Sequence, residues 1–117
     1  MEREERVFRG EIWIADLGTD NKKGSEQQGK RPVLVISNDL GNANSSCVTV
    51  ASITGSTSKT ELDSHQKIQL KSPSTILFEQ VITISKERLE FKLGRLSTSE
   101  LLEANYRIAM AMGLIGC

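Results

Sequence analysis

The sequence has few of the side chains that metal centres and covalent catalysts usually require. It contains one histidine, His65, and two cysteines, Cys47 and Cys117. A single histidine excludes a multi-histidine metal centre by count alone. The cysteine spacing matches neither a metal site nor a disulfide framework. The sequence therefore predicts a protein without a metal or other cofactor, and with reduced thiols as in cytoplasmic proteins.

Net charge and long apolar segments are absent as well. Lys+Arg and Asp+Glu each number 15, so the formal net charge is zero. This excludes a nucleic-acid binder that acts through overall positive charge, while a local basic patch stays possible. No apolar run approaches the roughly 20 residues that span a bilayer. No apolar segment typical of a signal peptide follows the charged residues 1–6. We therefore expect a cytoplasmic protein that does not contact membranes.

What the sequence does contain is a series of short strand patterns followed by one amphipathic helix. The length predicts one domain over residues 1–117, with 1–8 as a flexible tail. Ser97 and Glu100 form the pattern of a capping box, and Gly113 suits the residue after the helix. The predicted strands are 9–17, 31–37, 47–54, 66–70, 75–84 and 91–96, with a turn cluster at 38–46 and one helical turn at 85–89. This order predicts a mainly β fold, a small and strongly bent sheet or barrel with the C-terminal helix packed on it.

Residues 24–36 are the main candidate for a functional stretch. A polar segment bounded by two glycines leads into a Lys-Arg pair, a proline and an apolar strand. The polar loop 18–30 is longer than the usual connection of about 4–6 residues, and such loops often carry function. Pro32 suits the first residue of a strand and favours an extended backbone before it. Arg31 is therefore expected where the loop meets the sheet.

Polar side chains in the predicted strands supply candidates for the rest of a site. Ser52 and Thr54 end one strand, and Glu79 and Gln80 interrupt another that is otherwise apolar. Together with Arg31 they suit a phosphodiester, because a guanidinium offers planar, bidentate donors to phosphate. An RNA phosphodiester brings its own nucleophile, the 2′-OH. The protein then needs only to align that hydroxyl, stabilise the developing charge and move protons, which requires no metal.

Each of these residues also has an ordinary structural interpretation. An arginine before a proline at a strand start is usually exposed and solvated. On this structural interpretation Thr54 is an ordinary residue at the end of a strand. Glu79 and Gln80 then lie on the surface of an edge strand. His65 is expected to be exposed and without a role. Residue chemistry alone leaves these alternatives open.

Six segments, in order, resemble the MazF/PemK-type toxins. They are RGEIW (9–13), GSEQ (24–27), GKRPVLVIxND (29–39), ASIT (51–54), LFEQV (77–81) and LGRL (93–96). Any one of them would be weak evidence, but their ordered combination over about residues 9–115 is specific.

This resemblance implies a small SH3-like β-barrel of the MazF/PemK type with a C-terminal helix. It implies the toxin of a type II toxin–antitoxin system, a metal-independent and sequence-specific endoribonuclease that cleaves single-stranded mRNA. Attack by the 2′-OH would leave 2′,3′-cyclic phosphate and 5′-OH ends. The implied partners are single-stranded RNA, a cognate antitoxin protein whose disordered tail occupies the RNA groove, and a second copy of the chain in a homodimer.

The resemblance also assigns roles to individual positions. It implies that Arg31 and Thr54 are catalytic. The substrate-binding residues are Ser25, Glu26 and Gln27 in the long loop and Glu79 and Gln80 in the strand that lines the groove, and Ser52 joins them from the residue chemistry above.

Two stretches depart from the family pattern, and two other functions stay open. Residues 19–23 are more polar than in many relatives, and 28–30 replace a glycine-richer form, so the recognised RNA sequence cannot be carried over from a relative. One alternative is a non-enzymatic toxin of the same fold that poisons DNA gyrase through its closing helix. The other is a module that only binds a peptide. Pairing of Arg31 with Thr54 favours the endoribonuclease, because neither alternative requires that pair.

Overall fold

The computed structural model describes residues 6–18, 29–55 and 62–116. Within these ranges the elements are β1 (Glu11–Asp16), β2 (Lys30–Val35), α1 (Asp39–Asn44), β3 (Cys47–Thr54), β4 (His65–Gln69), β5 (Pro73–Ser85), β6 (Leu89–Arg95) and α2 (Thr98–Ala111), with a single 3₁₀ turn at Lys86–Arg88. The strands form one antiparallel sheet in the order β4-β5-β3-β2-β1-β6. This sheet curls into a half-barrel, which confirms the predicted mainly β fold with a C-terminal helix. None of the helices in the described ranges is long and apolar enough to cross a membrane.

The two faces of the sheet carry two separate apolar clusters because side chains alternate along each strand. Trp13 and Ile12 illustrate this division, since they are neighbours in β1 and belong to different clusters. The first cluster consists of Val7, Trp13, Ala15, Val33, Val35, Val48, Val50, Ile84 and Leu89. The second consists of Ile12, Leu34, Ala51, Ile53, Ile68, Ile76, Phe78, Leu96 and Ala104. Because Ala104 lies on α2, the helix covers the second face and leaves the first face for other contacts.

The start and end of α2 follow the predicted capping pattern. The Ser97 hydroxyl accepts from the Glu100 N–H at 3.1 Å, and the Glu100 carboxylate accepts from the Ser97 N–H at 2.8 Å. Gly113 has a φ of 76°, the left-handed conformation expected after a helix end. The Gln66 amide of β4 donates to the Glu100 carbonyl at 3.0 Å, which ties the helix to the sheet edge.

The expected turn at 38–46 is wrong, because α1 occupies most of this stretch. Asn38 caps the helix by accepting from the Gly41 N–H at 2.7 Å. Asn42 is buried, and its side-chain amide donates to the Ser37 carbonyl at 2.9 Å. Burial of this asparagine and its hydrogen bond to Ser37 therefore stabilise a helix whose residues have low intrinsic helix propensity.

Pro32 was expected to begin its strand, but it is the third residue of β2. Lys30 and Arg31 already pair with Asp16 and Ala15 of β1. Pairing of β2 with β3 begins one residue after the proline, at Val33, where a backbone N–H is again available. The early start of β2 places Arg31 inside the sheet rather than in the loop.

Candidate active site

Arg31 and Thr54 lie on adjacent strands and on the same face of the sheet. The β2–β3 register pairs Val33 with Ser52. Continued by two residues on each strand, this register places Arg31 opposite Thr54. Directly opposite residues have Cβ atoms about 4.5–5.5 Å apart. A guanidinium and a hydroxyl can therefore reach one small anionic group from this position, where Arg31 is exposed and Thr54 half-buried.

A row of side chains crosses the whole sheet at this level. From β6 to β4 its members are Leu89, Ala15, Arg31, Thr54, Thr75 and Lys67. Ala15 and Leu89 belong to the first apolar cluster, so the row lies on the face opposite α2. Arg31 thus has an apolar floor on one side and hydroxyl-bearing residues on the other.

The long loop between β1 and β2 is closed at its base, directly beside Arg31. The Leu17 N–H donates to the Gly29 carbonyl at 2.8 Å, and the Gly29 N–H donates to the Gly18 carbonyl at 2.7 Å. These bonds form a narrow neck at residues 17, 18 and 29, where the two ends of the loop meet. Gly18 and Gly29 have φ values of 84° and 76°, the left-handed conformation that this close approach requires. Arg88 reinforces the neck by donating to the Asp16 carbonyl at 2.9 Å. The predicted substrate-binding residues Ser25, Glu26 and Gln27 lie outside the described residues.

Ser52 lies on the site face but beneath its surface. It sits two residues before Thr54, between Val33 and Leu77 of the neighbouring strands. Only 4% of the residue is exposed. Its hydroxyl therefore belongs to the floor of the site in this conformation, and its predicted contact with a substrate stays a prediction.

Glu79 and Gln80 lie in a bulge of β5. Ser52 pairs with Leu77, whereas the preceding residue Ala51 pairs with Val81. Three residues of β5 therefore have no pairing partner on β3. The bulged residues are Phe78, Glu79 and Gln80. Phe78 anchors the bulge in the second cluster, where it is fully buried. Such bulges re-aim side chains, which explains how polar residues fit within an otherwise apolar strand.

Glu79 is held by the side chains of Ser64, which directly precedes β4, and His65, the first residue of β4. The Ser64 hydroxyl donates to Oε1 at 3.0 Å, and Nε2 of His65 lies 2.9 Å from Oε2. Partial burial alone would raise the pKa of Glu79. The hydrogen bonds from His65, its own backbone N–H and Ser64, with the charge interaction of His65, outweigh that effect and lower the pKa below its ordinary value. Glu79 is therefore a fixed carboxylate at neutral pH.

Gln80, beside it, carries a buried amide oxygen without a hydrogen-bond partner in the described ranges. Unsatisfied buried acceptors are rare and costly in folded proteins. Gln80 follows Glu79 directly in the same bulge. The bulge thus holds acceptor groups of the kind that bind amino and hydroxyl donors.

A family model for PemK-like, MazF-like toxins of type II toxin–antitoxin systems matches residues 8–112. This range is most of the 117-residue chain. The chain belongs to this family.

Individual relatives agree with this membership of the MazF/PemK family. The chain is 42% identical over 111 residues to "Endoribonuclease MazF" of Staphylococcus saprophyticus, and the match covers 91% of each chain. Among solved structures it is similar to an endoribonuclease in complex with its cognate antitoxin from mycobacterial species, with a TM-score of 0.77, 20% identity, and coverage of 95% of this chain and 99% of the other. MazF of Deinococcus radiodurans has a TM-score of 0.77 at 17% identity, with coverage of 94% and 99%. These structural similarities establish the fold.

The sequence prediction for this MazF-like chain missed two residues of the site face. His65 was expected to be exposed, but its side chain is only 13% exposed and contacts Glu79. Its role depends on the β4–β5 register, which no local pattern in the sequence reveals. Lys67 was not considered, although alternation with the buried Ile68 already indicated that it faces the other side of β4.

Proposed function

We propose that this chain is the toxin of a type II toxin–antitoxin pair and acts as a metal-independent, sequence-specific endoribonuclease on single-stranded mRNA. The observation that carries the proposal is the β2–β3 register, which sets Arg31 against Thr54 on the face opposite α2. The name of its Staphylococcus saprophyticus relative supports it. Because its proposed substrate is mRNA and its proposed inhibitor is an antitoxin protein, the chain is expected to act in the cytoplasm.

The proposed reaction uses the 2′-OH of the RNA as its nucleophile. The 2′ oxygen gives up its proton and bonds to the adjacent phosphorus, and the bond from phosphorus to the 5′ oxygen breaks. The departing 5′ oxygen takes up a proton. The products are a 2′,3′-cyclic phosphate and a 5′-OH end, so atoms balance without water or another reactant.

Arg31 stabilises the charge that develops on the phosphoryl oxygens in the transition state. Its guanidinium offers parallel donors to two oxygens. A donor aimed at such an oxyanion typically contributes about 100- to 1000-fold in rate. Thr54 orients the same phosphate through its hydroxyl, which is the role that its position opposite Arg31 supports.

Base recognition is assigned to the bulge of β5 and to the long loop. The fixed carboxylate of Glu79 and the amide of Gln80 accept hydrogen bonds from base amino groups, and hydrogen bonds to base edges are what specify sequence. Ser25, Glu26 and Gln27 act from the loop whose neck adjoins Arg31. Ser52 supports the phosphate site from below.

The proposed partners are a cognate antitoxin and a second copy of the chain. The complex of the mycobacterial relative with its antitoxin supports the first. For the second, edge strand β6 carries Phe91 and Leu93, which are 53% and 44% exposed. A homodimer would cover such side chains and build a longer RNA groove than one half-barrel offers.

Cleavage of a mixed mRNA pool by the purified full chain, in the presence of EDTA, tests the proposal. Mapping of the new ends should show 5′-OH termini at one short sequence, and Arg31→Ala should reduce the rate about 100- to 1000-fold. Lys86→Ala is the control, because Lys86 follows Ser85, which pairs with Cys47 at the end of β3 opposite Thr54. Intact RNA, or full activity of Arg31→Ala, contradicts the proposal. Intact RNA with inhibited gyrase would favour the non-enzymatic alternative.

A further inference from the structure

The face that carries Arg31 also carries a cation on the far edge strand. Lys67 of β4 pairs with Thr75 of β5, and Thr75 pairs with Thr54 of β3. Lys67 is exposed, whereas Gln66 and Ile68 on either side of it are buried against the second cluster and α2. Alternation along β4 therefore directs Lys67 to the site face.

The spacing of this row suits an extended anionic chain. From β2 to β4 the row crosses three strand intervals of about 4.8 Å, so Arg31 and Lys67 are roughly 14 Å apart at the backbone. Thr54 and Thr75 occupy the interval, and Thr75 is almost completely buried, with 5% exposed. The two exposed cations thus stand on either side of a neutral, hydroxyl-bearing floor.

The carboxylate next to this row is engaged by residues at or directly before the start of β4. Glu79 lies at the level of His65, one row along the sheet, and its two oxygens bond to Ser64 and His65. Lys30, which adjoins Arg31 in sequence, is paired with Glu90 at 3.3 Å. Arg31 and Lys67 are the two exposed basic side chains of the row itself.

We propose that Lys67 binds a second phosphate of the RNA, away from the scissile phosphate held at Arg31 and Thr54. This inference rests on the RNA-cleaving function proposed above. A lysine ammonium acts on phosphate as a point charge, without the geometric demand of a guanidinium. Its contact positions the strand across β3 and β5 and contributes affinity for any sequence, because phosphate contacts carry no base information.

Salt dependence measures this contact directly. Each phosphate neutralised on a single strand contributes about 0.7 to the slope of log affinity against log salt. Lys67→Gln should therefore lower the magnitude of the slope by about 0.7 and weaken binding about 3- to 10-fold at low salt. The loss should fall on Kd and KM rather than on kcat, because Lys67 does not touch the reacting atoms. Lys67→Arg should restore the slope.

The probe is a fluorescently labelled RNA that carries the mapped cleavage sequence with a 2′-deoxy nucleotide at the scissile position. Fluorescence anisotropy follows its binding to the full chain from about 50 to about 300 mM salt, a range over which phosphate contacts are resolved. Lys86→Gln is the control, because Lys86 follows the Cys47–Ser85 pair at the opposite end of β3 and β5. That variant should keep the wild-type slope. Cleavage of the all-ribose RNA is measured in parallel.

The outcomes separate this inference from the function on which it rests. If the wild-type chain neither binds nor cleaves the RNA, the proposed function is wrong, and this inference is wrong with it. A wild-type chain that cleaves, together with an unchanged slope for Lys67→Gln, overturns this inference alone. Lys67 would then act only as a charge that keeps edge strand β4 from pairing with other chains. A reduced slope that Lys67→Arg restores supports the proposal.

Discussion

Nε2 of His65 lies 2.9 Å from Oε2 of Glu79, across the β4–β5 pair. Because a carboxylate can only accept, the imidazole donates, and Ser64 donates to the other oxygen at 3.0 Å. These two contacts fix the carboxylate on the face that carries Arg31, which is what recognition of a base edge requires.

This contact predicts a pH-dependent contribution of Glu79 to stability. The folded-state pKa lies below the ordinary value of 4.5. The contribution is therefore fully present above the unfolded-state pKa, and it is lost as the pH falls through the lower folded-state pKa. Since the Glu79 side chain is 40% exposed, we expect no more than about 1 kcal/mol. Urea unfolding of wild type and Glu79→Gln should differ near pH 7 and converge in strongly acidic buffer.

His65→Leu provides the matched control for this prediction, because it removes the donor and leaves the carboxylate. A double-mutant cycle with Glu79→Gln isolates the coupling between the two side chains. The coupling should vanish over the same acidic range as the effect of Glu79→Gln. A difference between wild type and Glu79→Gln that is constant with pH would contradict the assignment.

The strands and α2 could be predicted because each carries its own local signal. Ile12 and Trp13 alternate between two buried faces, and Ser97 with Glu100 marks the helix start within four residues of sequence. Arg31 could be placed at the start of β2 because Pro32 and the apolar run after it indicate a strand. These signals are local, so one sequence suffices to find them.

The missed features depend on side-chain contacts that the propensities of individual residues do not indicate. α1 is stabilised by burial of Asn42 against Ser37, which its helix propensity does not indicate. The contact of His65 with Glu79 requires both the β4–β5 register and the bulge in β5. Neither the register nor the bulge leaves a local pattern, so the fixed carboxylate could not be foreseen from sequence.

Removal of the Thr54 hydroxyl should reduce RNA cleavage without unfolding the protein. Thr54→Val keeps the β-branched shape that suits a strand but loses the hydroxyl that we propose orients the phosphate. We expect a reduction of kcat/KM by about 10- to 100-fold, less than for a charged oxyanion donor. Thr54→Ser, which keeps a hydroxyl, should retain most of the activity. Initial rates on one RNA with a single mapped site provide the measurement.

Thr83→Val is the matched control for Thr54→Val. Thr83 is also a strand threonine, but its hydroxyl lies 3.0 Å from that of Thr49 near the other end of β3 and β5. Its substitution should leave the cleavage rate unchanged. Equal losses in Thr54→Val and Thr83→Val would show that the effect comes from the sheet and not from the site.

Glu11 should contribute more to stability than any exposed acidic residue, because its carboxylate is buried and fully engaged. Only 4% of its side chain is exposed, and it accepts from the Phe8 N–H, the Trp13 indole and the Lys92 ammonium at 2.9, 3.0 and 3.1 Å. Glu11→Ala leaves these donors without their acceptor and should cost about 3 kcal/mol. Glu103→Gln is the control, since it breaks only a partly exposed helix pair with Arg107 and should cost under about 0.5 kcal/mol. Urea unfolding at neutral pH gives both values, and equal costs would mean that Glu11 contributes no more than a surface charge.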